Sequence, residues 1–267
     1  ELSSSITDFL STRLNRRIVK LACHNNAPII VHTKRSKNSI NWLFGHDKIA
    51  VHPLKFIDHY EPEDNKLDEI RDQLGLDPQD TLIGIFGYIS SYKGHLSALQ
   101  AMLDLPAHYK LLILGRQHPQ TIRSGEELFP YLEDLIEFID EHPSLKDRVF
   151  FLNELDEGSF YNIAHHVDMT WLPYVENGQD GSGICSICMD LSPRVVCSSS
   201  FAFDELFKLL PYQHTARFDI GNYKELATKT EMLMQQPVGK RIENSAYSVS
   251  TQAQLYLQSA ELLAISK

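Results

Sequence analysis

The sequence predicts an α/β protein built on a doubly wound parallel sheet, and three observations predict it. Short apolar runs recur along the chain: PIIVH (28–32), TLIGIFG (81–87), KLLILG (110–115), RVFFL (148–152), DMTWLP (168–173) and RVVCS (194–198). They are rich in Val, Ile, Leu and Phe and lack polar alternation, which is how strands buried on both faces read. Amphipathic stretches lie between them, and strand–helix–strand repetition implies parallel strands with right-handed crossovers. Their shortness and the Gly, Pro or Asn at their ends favour strands over buried helix fragments of the same composition.

Taken in order, residues 1–45 stand apart. Ile6, Leu10, Leu14, Ile18 and Leu21 form an apolar stripe on one helix, followed by the strand at 28–32 and a short helix over Lys34–Leu43. The segment HPLKFIDHYEPEDNK (52–66) carries prolines and charges without periodicity and reads as a linker. The boundary is placed there, with 1–56 a small N-terminal remnant and 57–267 the α/β domain. Helices are predicted over Gly94–Leu103, Glu126–Glu141, Asp156–His166, Tyr223–Met234 and Ser250–Ile265. Leu128, Leu132, Leu135, Ile136 and Ile139 share one face of the second, and an acidic first turn opens the third. A helix of about eight residues follows Ser182.

The composition is globular, 43% hydrophobic and 22% charged. Net charge is −10, unevenly spread: residues 1–50 sum to +5 and the remainder to −15. An acidic body argues against broad nucleic-acid binding. No stretch reaches the roughly 18 consecutive apolar residues of a membrane helix, and the first residues lack the order of a signal peptide. The four cysteines, Cys23, Cys185, Cys188 and Cys197, are few and irregularly spaced, so a reducing cytoplasmic setting is expected. Cys185-x-x-Cys188 reads as packing of a buried helix rather than as a redox pair or half a zinc site, since no second pair accompanies it. Arg13, Arg16, Arg17 and Lys20 fall beside the apolar stripe; a solvated face is the default, and contact with anionic lipid is the alternative.

In an open parallel sheet, ligands bind beyond the carboxyl ends of the strands. After TLIGIFG, Gly87 ends the strand, Tyr88-Ile-Ser-Ser-Tyr forms a short loop, and Lys93-Gly94 opens a helix. Backbone N–H groups, the helix dipole and one ammonium favour an anion there, although the Gly-Lys-Ser/Thr of a Walker loop is absent. After DMTWLP comes a loop with Gly178, Gly181, Gly183, Ser182 and Ser186. Its glycines let a phosphate approach the backbone and its hydroxyls can donate. Arg116 follows the third run, and Asn153 and Glu154 follow the fourth; either loop could meet a base or a ribose.

These residues resemble the C-terminal, donor-binding domain of retaining GT-B glycosyltransferases of the glycosyl transferases group 1 type. The family's Gly-Arg-x4-Lys-Gly is matched by Gly87-Tyr88-x4-Lys93-Gly94. Leu112-Ile-Leu-Gly115, Val149-Phe-Phe-Leu-Asn153, Asp156, Trp171-Leu-Pro173 and Ser182-Gly183 leading to Arg194-Val195-Val196 follow in the family's order over roughly 80–200. The final helix is similar to the one that crosses back to the N-terminal domain, and residues 1–56 are similar to that domain's tail. Three departures stand out. Tyr88 takes the place of the arginine that clamps the donor diphosphate. Gln179 and Ile187 take the places of the Glu-x7-Glu pair, whose second member holds the ribose. Most of the acceptor-side domain lies outside this sequence, and with it the family's catalytic or positioning histidine.

The resemblance implies a Rossmann-like domain that binds a UDP- or GDP-linked sugar without metal or cofactor. It implies transfer to a glycan or lipid-linked acceptor in surface polysaccharide synthesis, at the inner face of a membrane. Gly87, Tyr88, Lys93, Gly94, Ser182, Gly183, Ile184 and Cys185 would surround the diphosphate. Arg116, Asn153, Glu154 and Ile187 would surround base and ribose. The losses at 88 and 187 keep a second class open, a degenerate GT-B domain acting as a scaffold, and an epimerase or phosphorylase on a similar fold is a third.

Overall fold

The structure is a computed structural model and describes residues 2–54, 56, 57, 60, 66–117, 130–153, 155–175, 179–209, 214–238 and 245–265. The elements run α1 (Leu2–His24), β1 (Ile29–Val31), α2 (Lys34–Phe44), β2 (Ile49–Val51), α3 (Lys66–Leu74), β3 (Thr81–Phe86), α4 (His95–Asp104), β4 (Tyr109–Leu114), α5 (Pro130–Glu141) and β5 (Val149–Leu152). They continue with α6 (Glu157–His166), β6 (Met169–Leu172), α7 (Gly183–Leu191), β7 (Val195–Ser198), α8 (Phe201–Leu209), β8 (Thr215–Phe218), α9 (Tyr223–Met234) and α10 (Val249–Ile265). All six runs read as strands are strands. The sequence reading missed β2, β8, α3 and α8. The first four residues of its Glu126–Glu141 helix lie outside the described residues, and α5 begins at Pro130, where the ring's fixed φ suits a first helical turn.

The chain divides into two compact units, Glu1–Asp58 with Ser245–Lys267, and His59–Asn244. The first of these joins the C-terminal helix α10 to the N-terminal segment, whereas the sequence reading groups that helix with the α/β domain. Phe56 N–H donates to Tyr247 O (3.1 Å), and the two rings lie 6.2 Å apart. The first unit also pairs β1 with β2 in parallel. Thr33 caps α2 by accepting from Ser36 N–H. Of the α1 stripe, Leu14, Ile18 and Leu21 are exposed, and Val19, Ala22 and Cys23 form the half-buried side of the helix. On α2, Trp42 is 83% exposed. The side chains of Ile6 and Leu10 lie outside the described residues.

The second unit holds a six-stranded, all-parallel sheet in the order β5-β4-β3-β6-β7-β8. The chain moves outward from β3 through β5, returns to set β6 against β3, then moves outward the other way, which is the doubly wound topology. β3, β4, β6 and β7 are buried along nearly their whole length. Ile83, Ile85, Leu111, Ile113, Trp171 and Val196 meet Leu99, Met102 and Leu226 from α4 and α9 in one core. Each such buried side chain contributes about 1.5–3 kcal/mol. Trp171, 0% exposed, donates its indole N–H to Thr230 Oγ1 (2.9 Å), which fixes α9 against β6. Arg194 donates to the carbonyls of Leu233 and Gln236, both at 2.9 Å, so the C-terminal end of α9 meets a cation. Among the described residues no helix is long and apolar enough to cross a membrane.

One close approach in this unit is backbone to backbone. Gly94 has φ +74° and leads into α4, and a Cβ built there would lie 1.8 Å from Pro173 O at the end of β6. Only glycine fits both the torsion and the space. Val175 N–H donates to Tyr92 O (2.9 Å) across the same seam. Gly94→Ala is therefore expected to lower unfolding free energy by about 2–4 kcal/mol, read from urea denaturation. Gly183→Ala, where a Cβ would meet nothing within 4 Å, should shift it by less than about 1 kcal/mol.

Candidate functional site

The strand order reverses between β3 and β6, and a crevice opens beyond the carboxyl ends of strands at such a point. A cavity of about 500 Å³ lies at these ends. Phe86, Gly87 and Tyr88 enter it from the end of β3, and Leu114, Gly115 and Arg116 from the end of β4. Tyr92 and Lys93 come from the turn before α4, Leu155, Glu157, Phe160 and Tyr161 from the start of α6, and Ile184 and Ile187 from α7. Most of the wall is apolar or aromatic, with a few charged groups set into it, the usual make-up of a small-molecule site.

Lys93 organises the junctions. It ends a single 3-10 turn over Ser91–Lys93 and is only 4% exposed. Its ammonium donates to Phe86 O (3.2 Å) and to Tyr174 Oη (3.0 Å), and lies 5.0 Å from the Tyr174 ring centroid. Tyr174 Oη lies 3.0 Å from Ser182 Oγ, which accepts Cys185 N–H as the cap of α7. A Cβ at Gly87 would meet Lys93 Nζ at 3.1 Å and Ile184 at 3.7 Å. The turn after β3 and the start of α7 thus converge on one ammonium. Desolvation by burial holds the Lys93 pKa below its ordinary value, partly countered by Tyr92 and Cys188.

The residues singled out from the sequence divide. Gly87, Tyr88, Lys93, Arg116, Ile184 and Ile187 border the cavity. Gly94, Asn153, Ser182, Gly183 and Cys185 do not, and Glu154 lies outside the described residues. The hydroxyls expected to donate to a ligand are turned into the helix. Ser182 Oγ is the cap, and Ser186 Oγ, fully buried, donates to Ser182 O (3.2 Å). What α7 presents to the cavity is apolar. Cys185, Cys188 and Cys197 are free and buried, and burial pushes the Cys188 thiol up to about 12, so the Cys185-x-x-Cys188 spacing is packing. Among the described residues no group of three or more His, Cys, Asp or Glu is placed to hold a metal.

Several site residues were invisible in the sequence. Phe160 and Tyr161 look like any apolar face of α6, yet Phe160 packs on Phe86 (centroids 5.0 Å) and Tyr161 donates to Glu157, both at the cavity wall. The one legible signal was Asp156, which caps α6 by accepting Ser159 N–H (2.9 Å). His95, the first residue of α4, is also buried without exposure.

A comparison with protein-family models finds no match, and neither does one with curated protein sequences. Solved structures do match. HepE from Anabaena, in complex with UDP-glucose, superposes with a TM-score of 0.66 at 20% identity, over 89% of this chain and 64% of that one. Sucrose-phosphate synthase from Thermosynechococcus elongatus gives 0.68 at 18% identity, over 89% and 58%. A glycosyltransferase from Rickettsia africae gives 0.64 at 15% identity, over 91% and 63%. The fold is that of the GT-B glycosyltransferases. The chain spans 64% of the length of HepE. Within the GT-B fold the six-stranded sheet is the Rossmann-like part, and the cavity sits at its switch point.

Burial and the adjacent Lys93 charge push the His95 imidazole down to about 3. Below pH 6.5 the unfolded chain takes up a proton at this ring that the folded protein refuses, so the residue removes stability as pH falls through 6.5 toward 3. Between pH 7 and pH 5 this amounts to about 2 kcal/mol. Urea unfolding of His95→Gln should show a pH 7-to-5 stability loss smaller than that of the unaltered protein by about this amount.

Proposed function

We propose that this chain is the donor-binding part of a retaining glycosyltransferase. A UDP- or GDP-linked sugar occupies the switch-point cavity, and its sugar passes to a glycan or lipid-linked acceptor. One observation carries the reading: a nearly buried ammonium, bonded to Phe86 O at the end of β3 and to Tyr174 Oη after β6, lies 3.1 Å from where a Cβ on Gly87 would stand at the cavity wall. In this low-dielectric position a fixed cation stabilises charge on a leaving nucleoside diphosphate far more than it could in water. Transfer then needs only positioning of donor and acceptor and neutralisation of the departing phosphate. Supporting it, a solved structure of HepE holds UDP-glucose and that of a trehalose-phosphate synthase from Burkholderia xenovorans holds glucose-6-phosphate. The base and ribose would lie toward the α6 wall of Phe160 and Tyr161, and synthesis of surface polysaccharide is the process that suits such a transferase.

A specific observation favours a second reading, a GT-B scaffold without catalysis. Ile187 borders the cavity where a ribose-binding carboxylate is expected, so the ribose would meet a hydrocarbon wall. Titration calorimetry with UDP, GDP and their sugars separates the two. Saturable binding that weakens at least tenfold in Lys93→Ala, with unfolding curves confirming a folded variant, is the expected result. No heat with any nucleotide would leave the scaffold reading standing.

The first unit adds a surface proposal. Arg13, Arg16, Arg17 and Lys20 are exposed beside exposed Leu14, Ile18 and Leu21 on α1, a pattern suited to the interface of an anionic bilayer. Flotation with vesicles containing phosphatidylserine should recover the protein. Changing the four cations to glutamine should reduce recovery severalfold, since each is worth about 1 kcal/mol near such a surface.

A further inference from the structure

We infer that Arg116 is the second phosphate-binding cation of the cavity, supplying from the end of β4 the charge that residue 88 lacks at the end of β3. The inference rests on the nucleotide-sugar reading above and moves Arg116 from the base and ribose to the diphosphate. Three observations converge on it.

The first is register. The β3–β4 ladder continues beyond both strands: Gly87 N–H donates to Leu114 O (3.0 Å) and Ile89 N–H to Arg116 O (2.8 Å), with a further bridge between Ile89 and Gln117. Residue 116 is thereby locked alongside residue 88. The second is the side chains. The Arg116 guanidinium carbon lies 5.8 Å from the centre of the Tyr88 ring, and both residues border the cavity. An aromatic ring at 88 seats a guanidinium on its face. The charge that an arginine at 88 would bring is present in the same neighbourhood, carried on the other strand.

The third is charge. A nucleotide sugar's diphosphate carries about two negative charges near neutral pH, because each phosphate's first acid group is fully ionised. Lys93 offers one positive charge, and two of its three N–H groups point at Phe86 O and Tyr174 Oη. Among the described residues bordering the cavity, Arg116 is the other cation. Its guanidinium presents N–H groups in a plane that matches two phosphate oxygens at once. A buried point charge and a planar fork, both at the cavity wall, supply the two positive charges that a diphosphate clamp requires. Arg116 is exposed and Tyr88 half-buried, so neither substitution disturbs the core.

The test is titration calorimetry of the whole chain with UDP, UMP, GDP and GMP. The proteins are the unaltered chain, Arg116→Ala, Arg116→Lys, and Arg116→Ala combined with Tyr88→Arg. Arg116→Ala should weaken the preferred diphosphate at least tenfold and its monophosphate clearly less, so that the ratio of the two affinities narrows. Arg116→Lys should recover part of the loss, and Tyr88→Arg should return Arg116→Ala to within about threefold of the starting affinity, a difference under about 1 kcal/mol. Equal weakening of diphosphate and monophosphate would return Arg116 to the base or ribose and overturn the inference, as would a diphosphate affinity unchanged by Arg116→Ala. Failure of Tyr88→Arg to rescue would overturn the exchange between strands. An unaltered chain that binds no nucleotide brings down the function reading and this inference together, whereas one that binds nucleotide regardless of residue 116 brings down the inference alone.

Discussion

The second unit depends on one ammonium ion held almost out of water. Taking a lysine charge into a protein interior costs several kcal/mol unless polar groups replace its hydration. Here a strand-end carbonyl, a tyrosine hydroxyl and an aromatic face do so, and they come from β3 and from the loop after β6. The arrangement exists only because the turn before α4 can touch the end of β6, which Gly94 permits. It also reaches outward: His95 must stay neutral beside the charge, and Tyr174 passes the contact on to the cap of α7. A capping serine, a buried histidine and a glycine at positive φ thus meet around one desolvated cation.

Much of the fold was legible because parallel strands covered on both faces leave uninterrupted apolar runs. β8 escaped notice because it is an edge strand: its sequence Thr-Ala-Arg-Phe buries only alternate residues, and Arg217 breaks the run. β2 has three residues, too few for any pattern. α3 and α8 have nine residues each, little more than two turns in which a helical period can show. The stripe on α1 was seen correctly as helical periodicity, but periodicity shows only that a face is apolar, not what covers it.

The site was half legible for a physical reason. Strand ends can be located from sequence, and with them the backbone that will border a switch-point crevice, so Gly87, Lys93 and Arg116 were within reach. Side-chain direction could not be read. Ser182 and Ser186 carry hydroxyls suited to a phosphate, but at a helix start the nearest unsatisfied groups are the helix's own, and both are engaged there. The aromatic wall from α6 was invisible because a helical face toward a cavity and one toward a core have the same composition. Tyr88 and Ile187, which looked like losses, have distinct structural contexts: one seats a guanidinium, and the other continues a hydrocarbon wall with Ile184.

The chain contains two tryptophans, and they could hardly be placed more differently. Trp171 is sealed in the sheet core with its indole N–H bonded to Thr230, while Trp42 stands almost wholly in solvent on α2. Their emission should therefore separate by wavelength, blue for the first and red for the second. Each compact unit carries its own built-in fluorophore, and collisional quenchers such as iodide will reach one and not the other.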